Sequence, residues 1–237
     1  MKKKFSLVKK IFLTVIVLVI LMVAGFFIYS LDYYRATPDV SQLLDQSSLK
    51  VITKENLTVI YPLENDLNKG IVFYPGGKVE DDAYLPLLLK LSEKGYTTVL
   101  VGMPLNLAVF NSDGAKGALL LVPEIKEWYL AGHSLGGAMA SSYMEKHFDQ
   151  FKGLILLAAY PLNNAPVDTL ILFGTNDQVL DQSKLEGFKN LVEIVGGNHA
   201  YFGNYGEQEG DGNAIISREE QQSFTVESIH QFINPWY

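Results

Sequence analysis

The pattern Gly132-His133-Ser134-Leu135-Gly136, extended by Gly137, constrains this chain more than any other stretch. It follows a strand-like run, Glu127-Trp128-Tyr129-Leu130-Ala131, and precedes a helix-like one that begins Ala138-Met139-Ala140. A chain that turns sharply from strand to helix doubles back on itself. Only small residues then fit two places before and two places after the turning residue. Such a turn leaves the Ser134 hydroxyl exposed at the end of a sheet. It also points the Leu135 amide at whatever bonds to that hydroxyl, from a helix N-terminus that favours negative charge. A glycine-rich turn with an incidental serine would need neither the strand before it nor the helix after it; here the sequence has both.

The rest of the chain alternates in the same way. Ser48–Ile52 and Asn56–Tyr61 read as short strands of an edge hairpin around Lys54-Glu55-Asn56. Gly70-Ile71-Val72-Phe73-Tyr74 is a continuous apolar run, the mark of a strand buried on both faces, and it stops at Pro75-Gly76-Gly77-Lys78. A helix is expected from Asp81 to Gly95, with an acidic start and a Lys-Gly end. Strands follow at 96–101, 128–131, 152–158, 169–174 and 191–195, with helices at 113–122, 136–147 and 217–233. The last helix opens on Ser217-Arg218-Glu219-Glu220, a capping box. Strands alternating with helices predict an α/β fold, a mainly parallel sheet with helices on both faces.

Residues 11–30 stand apart, uncharged and almost wholly apolar. Twenty helical residues span roughly 30 Å, the thickness of a bilayer's hydrocarbon core. Lys2, Lys3, Lys4, Lys9 and Lys10 precede the run, and Asp32, Tyr33, Tyr34 and Arg35 follow it. That asymmetry puts the N-terminus in the cytoplasm. The run is longer than a usual signal-peptide core and no clear Ala-x-Ala follows it, so an uncleaved signal anchor is expected over a cleaved leader. Either reading places the remainder outside the cytoplasmic membrane. The expected organisation is a basic cytoplasmic segment (1–10), a single-pass transmembrane anchor (11–30), a polar tether (31–47) with a turn at Pro38-Asp39, and one folded domain (48–237). Beyond residue 30 there are 14 basic and 26 acidic residues, a net charge of −12. That argues against nucleic acid as a partner. The chain has no cysteine, hence no disulfide, thiolate nucleophile or cysteine metal site.

An exposed serine is a poor nucleophile until a base takes its proton. Of four histidines, His147 and His230 sit in helices, and His133 is directed by the turn itself. His199 follows Gly196-Gly197-Asn198 directly after the last strand, at the sheet edge where sites form in α/β folds. The base needs an orienting carboxylate. Asp177, in Gly174-Thr175-Asn176-Asp177, lies just past a strand's C-terminal end. Asp168 starts the same strand and so lies at the wrong end; Asp181 is the alternative. Donors for a developing oxyanion are expected from the Leu135 amide and from Gly77, with Lys78 next. Gly76, Lys78, His133 and Tyr201 are expected to border the substrate. A phosphate loop is excluded at Gly76-Gly77-Lys78, which lacks the upstream glycine and is followed by Val79.

With Gly-His-Ser-Leu-Gly-Gly at 132–137, Gly-Thr-Asn-Asp at 174–177 and Gly-Gly-Asn-His at 196–199, the chain from about residue 48 onward resembles the α/β-hydrolase superfamily. Phe73–Val79 and His199–Gly206 resemble more narrowly a branch of small, often membrane-anchored bacterial proteins related to dienelactone-hydrolase-like enzymes. The resemblance implies an α/β-hydrolase fold and a serine hydrolase cleaving a carboxylic ester or similar acyl compound, with Ser134, Asp177 and His199 as triad. An acyltransferase or amidase could use the same groups, and a non-catalytic binding module could keep the same fold. No metal or organic cofactor is required for an acyl-enzyme. The expected partners are a small acyl substrate and the cytoplasmic membrane, through residues 11–30. Two departures stand out. Pro75-Gly76 replaces the His-Gly of many relatives, and only Tyr160–Asp168 separates two strands where many relatives insert a lid. An open site is therefore expected, with the long stretch Tyr201–Ala214 lining its edge.

Overall fold

The computed structural model describes residues 2–163 and 167–235, with side chains from residue 7 onward. It divides into two units, 1–33 and 34–237. The first is a single helix, α1 (Lys2–Leu31), in which Leu7–Leu31 is long and apolar enough to cross a membrane.

The second unit is built on an eight-stranded sheet: β1 (Lys50–Lys54), β2 (Leu57–Tyr61), β3 (Lys69–Tyr74), β4 (Thr97–Val101), β5 (Glu127–His133), β6 (Gly153–Leu157), β7 (Thr169–Gly174) and β8 (Leu191–Ile194). Their spatial order is 1-2-4-3-5-6-7-8. β1 and β2 form the edge hairpin through Glu55, whose φ of 55° is left-handed, and β2 runs antiparallel to β4. All pairings from β4 through β8 are parallel. Strand alternation divides the core in two. Ile71 and Phe73 of β3 face one layer with Leu87, Leu88, Leu91, Val226 and Ile229; Val72 and Tyr74 face the other with Ala115, Ala118, Ala140 and Met144. The first layer holds α3 (Leu85–Glu93) and α6 (Arg218–Ile233), and the second holds α4 (Gly114–Leu121) and α5 (Leu135–His147). The capping box of α6 forms between Ser217 and Glu220.

This topology sends the loops after β3, β5, β7 and β8 off one edge of the sheet. They carry Gly77, Ser134, Asp177 and His199 respectively. The connection from β6 to β7, residues 158–168, is too short to be a large lid; its residues 164–166 lie outside the described residues.

Two expectations need correction. The helix expected from Asp81 starts as a 3₁₀ turn (Asp81–Tyr84) and becomes α-helical only at Leu85, with Pro86 in its first turn, where a missing N–H is tolerated. The segment read as a tether is part of the domain from Tyr34 onward. Residues 39–46 form a further helix, α2 (Asp39–Gln46), whose Val40 is buried in the first core layer. Tyr34 bridges Val79 in parallel. At eight residues the segment is too short to be a stable helix by itself; it is held by docking Val40, and beside it Leu44, on the first core layer.

Candidate active site

β5 runs into Ser134, which takes φ 51° and ψ −121°, and α5 begins at the next residue. A non-glycine residue there stores of the order of 1–3 kcal/mol of backbone strain, held by its surroundings. Those surroundings leave no space. A Cβ on Gly136 would lie 2.2 Å from the Pro75 carbonyl oxygen and 2.3 Å from that of Tyr74; one on Gly132 would lie 2.7 Å from the Gly136 backbone. The Ser134 amide donates to Leu157 O of β6 (3.0 Å). Ser134 remains partly exposed while Gly132, His133, Gly136 and Gly137 are buried.

Asp177 and His199 come together because the ends of β7 and β8 are in backbone contact. A Cβ on Gly174 would lie 2.2 Å from Gly197 C, and the Asn176 amide donates to Gly197 O. His199 Nδ1 donates to Asp177 Oδ2 (2.8 Å), and neither side chain is more than 1% exposed. Asp177 Oδ1 accepts from the amides of Val179 (2.9 Å) and Leu180 (2.8 Å), so both carboxylate oxygens are engaged. With Nδ1 donating, Nε2 of a neutral His199 is the ring's acceptor. That atom is buried and has no hydrogen-bond partner among the described residues. The structure thus joins the two residues expected as acid and base; the Ser134–His199 hydrogen bond is the expected contact that it does not form. Asp181 is not an alternative acid here, since its Oδ1 accepts from the Ser183 amide and hydroxyl. His230 pairs with Tyr96, and His147 stacks on Tyr143.

Gly77 lies against Leu135: a Cβ on it would be 2.7 Å from Leu135 Cδ2. The Gly76 amide donates to Tyr84 Oη (3.1 Å) and the Lys78 amide to Asn106 O (2.7 Å). Of the three successive amides only that of Gly77 makes no hydrogen bond among the described residues. The Leu135 amide, first in α5, has no acceptor within its own helix.

Of the four residues expected to border a substrate, Gly76 and His133 are displaced from that role. Both are buried beneath the elbow. A Cβ on Gly76 would meet Tyr84 Oη at 2.7 Å and His133 Nδ1 at 2.8 Å. Tyr84 Oη, which accepts from Gly76, donates to His133 Nδ1 (2.7 Å), and His133 Nε2 donates to His199 O (3.1 Å). The chain of bonds therefore sets a neutral tautomer for His133 and joins the loops after β3 and β8 through the residue before Ser134. Lys78 and Tyr201 are partly exposed. The Tyr201 ring lies under the Arg218 guanidinium of α6 (4.7 Å).

Burial, and secondarily the neighbouring His199, hold the His133 imidazole well below the ordinary value of 6.5. A depressed folded value contributes stability that is fully present above about pH 6.5 and is lost as pH falls toward the folded value. Urea midpoints of the wild type should therefore fall between pH 7 and pH 5, and the fall should be shallower in His133→Gln. Equal slopes would disprove the assignment.

Asp211 escaped sequence reasoning, although the flanking Gly210 and Gly212 mark its loop. Its Oδ1 accepts from the amides of His199 (3.2 Å) and Gly212 (2.8 Å), and its Oδ2 from Ala200 (2.9 Å). Asn198 Nδ2 donates to Gly212 O (2.9 Å) and Asn176 Nδ2 to Asn213 O (2.8 Å). The stretch expected to line the rim therefore binds the Asp177 loop to the His199 loop.

No curated protein matches the chain in sequence. Among solved structures it is similar to Est1E from Butyrivibrio proteoclasticus, at 16% identity and a TM-score of 0.56, over 79% of this chain and 99% of that one. It is also similar to a serine hydrolase without a lid from Xanthomonas campestris, at 13% identity and 0.54, over 78% and 94%. Dienelactone hydrolase from Anabaena variabilis matches at 14% identity and 0.58, over 78% and 99%. At these identities the likeness is one of fold. The sequence model of the alpha/beta hydrolase family matches residues 70–223, from β3 into α6. That match, in keeping with the strand order and the strand–turn–helix at Ser134, establishes that the chain belongs to the alpha/beta hydrolase family.

Proposed function

We propose that the protein is a membrane-anchored serine hydrolase that cleaves a carboxylic ester or similar acyl compound through a Ser134 acyl-enzyme. The observation that carries this reading is the buried Asp177–His199 pair, which leaves an unpartnered Nε2 as acceptor at the edge of the sheet where Ser134 is partly exposed. In the reaction, His199 Nε2 takes the Ser134 proton as Oγ attacks the acyl carbon. Asp177 stabilises the imidazolium and holds its tautomer. The amides of Leu135 and Gly77 receive the oxyanion, aided by the N-terminus of α5. His199 then protonates the leaving group, and water, deprotonated by the same Nε2, releases the acid. Residues 11–30 hold the enzyme in the cytoplasmic membrane with the catalytic domain outside.

The test uses full-length protein in its own membranes. A fluorophosphonate probe should label it, and Ser134→Ala should abolish labelling. No labelling of the folded wild type would leave a binding module in place of an enzyme. A panel of p-nitrophenyl esters and thioesters of rising acyl length then measures the acyl pocket. Est1E has been solved with ferulic acid bound, so an arylacrylate ester belongs in the panel. Release of free acid in the presence of added alcohols and amines separates hydrolysis from acyl transfer. External protease on spheroplasts should digest residues 31–237, and protection would overturn the orientation.

A further inference from the structure

We propose that the segment directly after the apolar helix, Tyr34–Asp39, is a strap that positions the active site, with Tyr34 as its main positioning residue. The proposal rests on the hydrolase reading above. Tyr34 touches both loops that must act together. Its amide donates to Lys78 O (2.8 Å), and its carbonyl accepts from the Glu80 amide (2.9 Å). These two bonds make a short parallel bridge at Val79 and clasp the loop that carries Gly77. Its hydroxyl accepts from the Glu209 amide (3.0 Å), in the stretch that follows His199. Its ring packs on Tyr205 (5.7 Å), which packs on Tyr84 (6.4 Å), whose hydroxyl holds both the Gly76 amide and His133.

The next residues repeat the pattern. The Ala36 amide donates to Glu80 Oε2 (2.8 Å). The Thr37 amide and hydroxyl both reach Asn204 O, and Asn204 Nδ2 donates to Asp39 Oδ2 (3.2 Å). Each bond runs either to the loop after β3 or to the stretch after His199. The strap thus fixes the oxyanion loop against the base loop from a position that touches no reacting atom. Catalytic geometry is sensitive on this scale: a misplacement of about 1 Å costs on the order of 10²-fold in rate. Only Asp32 and Tyr33 separate Tyr34 from the end of α1. Proteolytic processing C-terminal to residue 34 would therefore remove catalytic support along with the anchor.

The test compares full-length wild type, Tyr34→Phe and Tyr34→Ala. Tyr34→Ala should lower kcat for a p-nitrophenyl ester and the fluorophosphonate labelling rate about 10- to 100-fold, with KM nearly unchanged. Both variants keep the backbone bridge; Tyr34→Phe also keeps the ring against Tyr205 and should recover most of that loss. Activity of Tyr34→Ala at the wild-type level, or a loss that only tracks its unfolded fraction, overturns the proposal. Amide hydrogen exchange keeps the two readings apart. Should the wild type neither label nor turn over, the hydrolase reading fails by itself. Faster exchange at residues 76–80 and 199–204 in Tyr34→Ala then still supports the strap, and unchanged exchange refutes it.

Discussion

Ser134→Ala and His199→Ala should each lower kcat by about 10⁴–10⁶, and the double variant should be no worse than either single one. The reason is that the imidazole acts only through the serine. Without Oγ there is no proton for Nε2 to take, and without Nε2 the hydroxyl stays a weak nucleophile. In the proposed mechanism the residual rate above the uncatalysed reaction comes from the amides of Leu135 and Gly77, which neither substitution touches. Single-turnover hydrolysis of an activated ester, normalised by the folded fraction, measures this. A double variant further reduced by the product of the two single effects would show that the residues act independently. Neither change should unfold the protein. Ser134 is held through its amide bond to Leu157 O, and the Asp177 carboxylate keeps the amides of Val179 and Leu180 when His199 is truncated.

Asp177→Asn should cost about 10⁴-fold in kcat with little change in thermal midpoint. The local hydrogen bonds determine why. Oδ1 accepts from two backbone amides, so an asparagine must place its oxygen there and turn its NH₂ toward His199. Nδ1 then has to accept, the proton moves to Nε2, and the ring can no longer take the serine proton. Nitrogen-15 NMR of the His199 ring reads the tautomer directly. An Nε2–H form in Asp177→Asn with wild-type activity would remove Asp177 from the mechanism. Asp177→Ala should be similarly inactive and less stable, because it also leaves the two amides without an acceptor.

The legible part of this molecule is the part in which one residue type at one place carries the signal. β3, β6 and β7 are buried on both faces and so appear as unbroken apolar runs. The elbow is legible because contacts of 2.2–2.7 Å forbid anything but glycine at 132 and 136. Asp177 and His199 could be chosen over Asp168, His147 and His230 because position relative to a strand's C-terminal end separates them. The strap was illegible for a physical reason. The amides of Tyr34 and Thr37 bind carbonyls of Lys78 and Asn204, and backbone groups are the same in every sequence. Asp211 is a similar case: its carboxylate serves amides more than ten residues away. The site also has a depth that the sequence does not display. His133 and Gly76 adjoin Ser134 and Gly77 in the chain, yet they lie under the elbow, where Tyr84 holds them.

Asp211 has a bearing on how such a scaffold can be re-engineered. Its carboxylate holds the amides of His199 and Ala200, and its neighbours Gly212 and Asn213 take the side chains of Asn198 and Asn176. The base loop is therefore not an exchangeable module. A graft of residues 196–204 alone into another scaffold would arrive without the carboxylate that shapes it. A transferable cassette must span at least 174–214, so that Asp177, His199 and Asp211 travel together, and its host must supply the two bonds that Gln221 of α6 makes to Asn198. Insertions meant to alter selectivity belong instead in the 158–168 connection, which none of these bonds crosses.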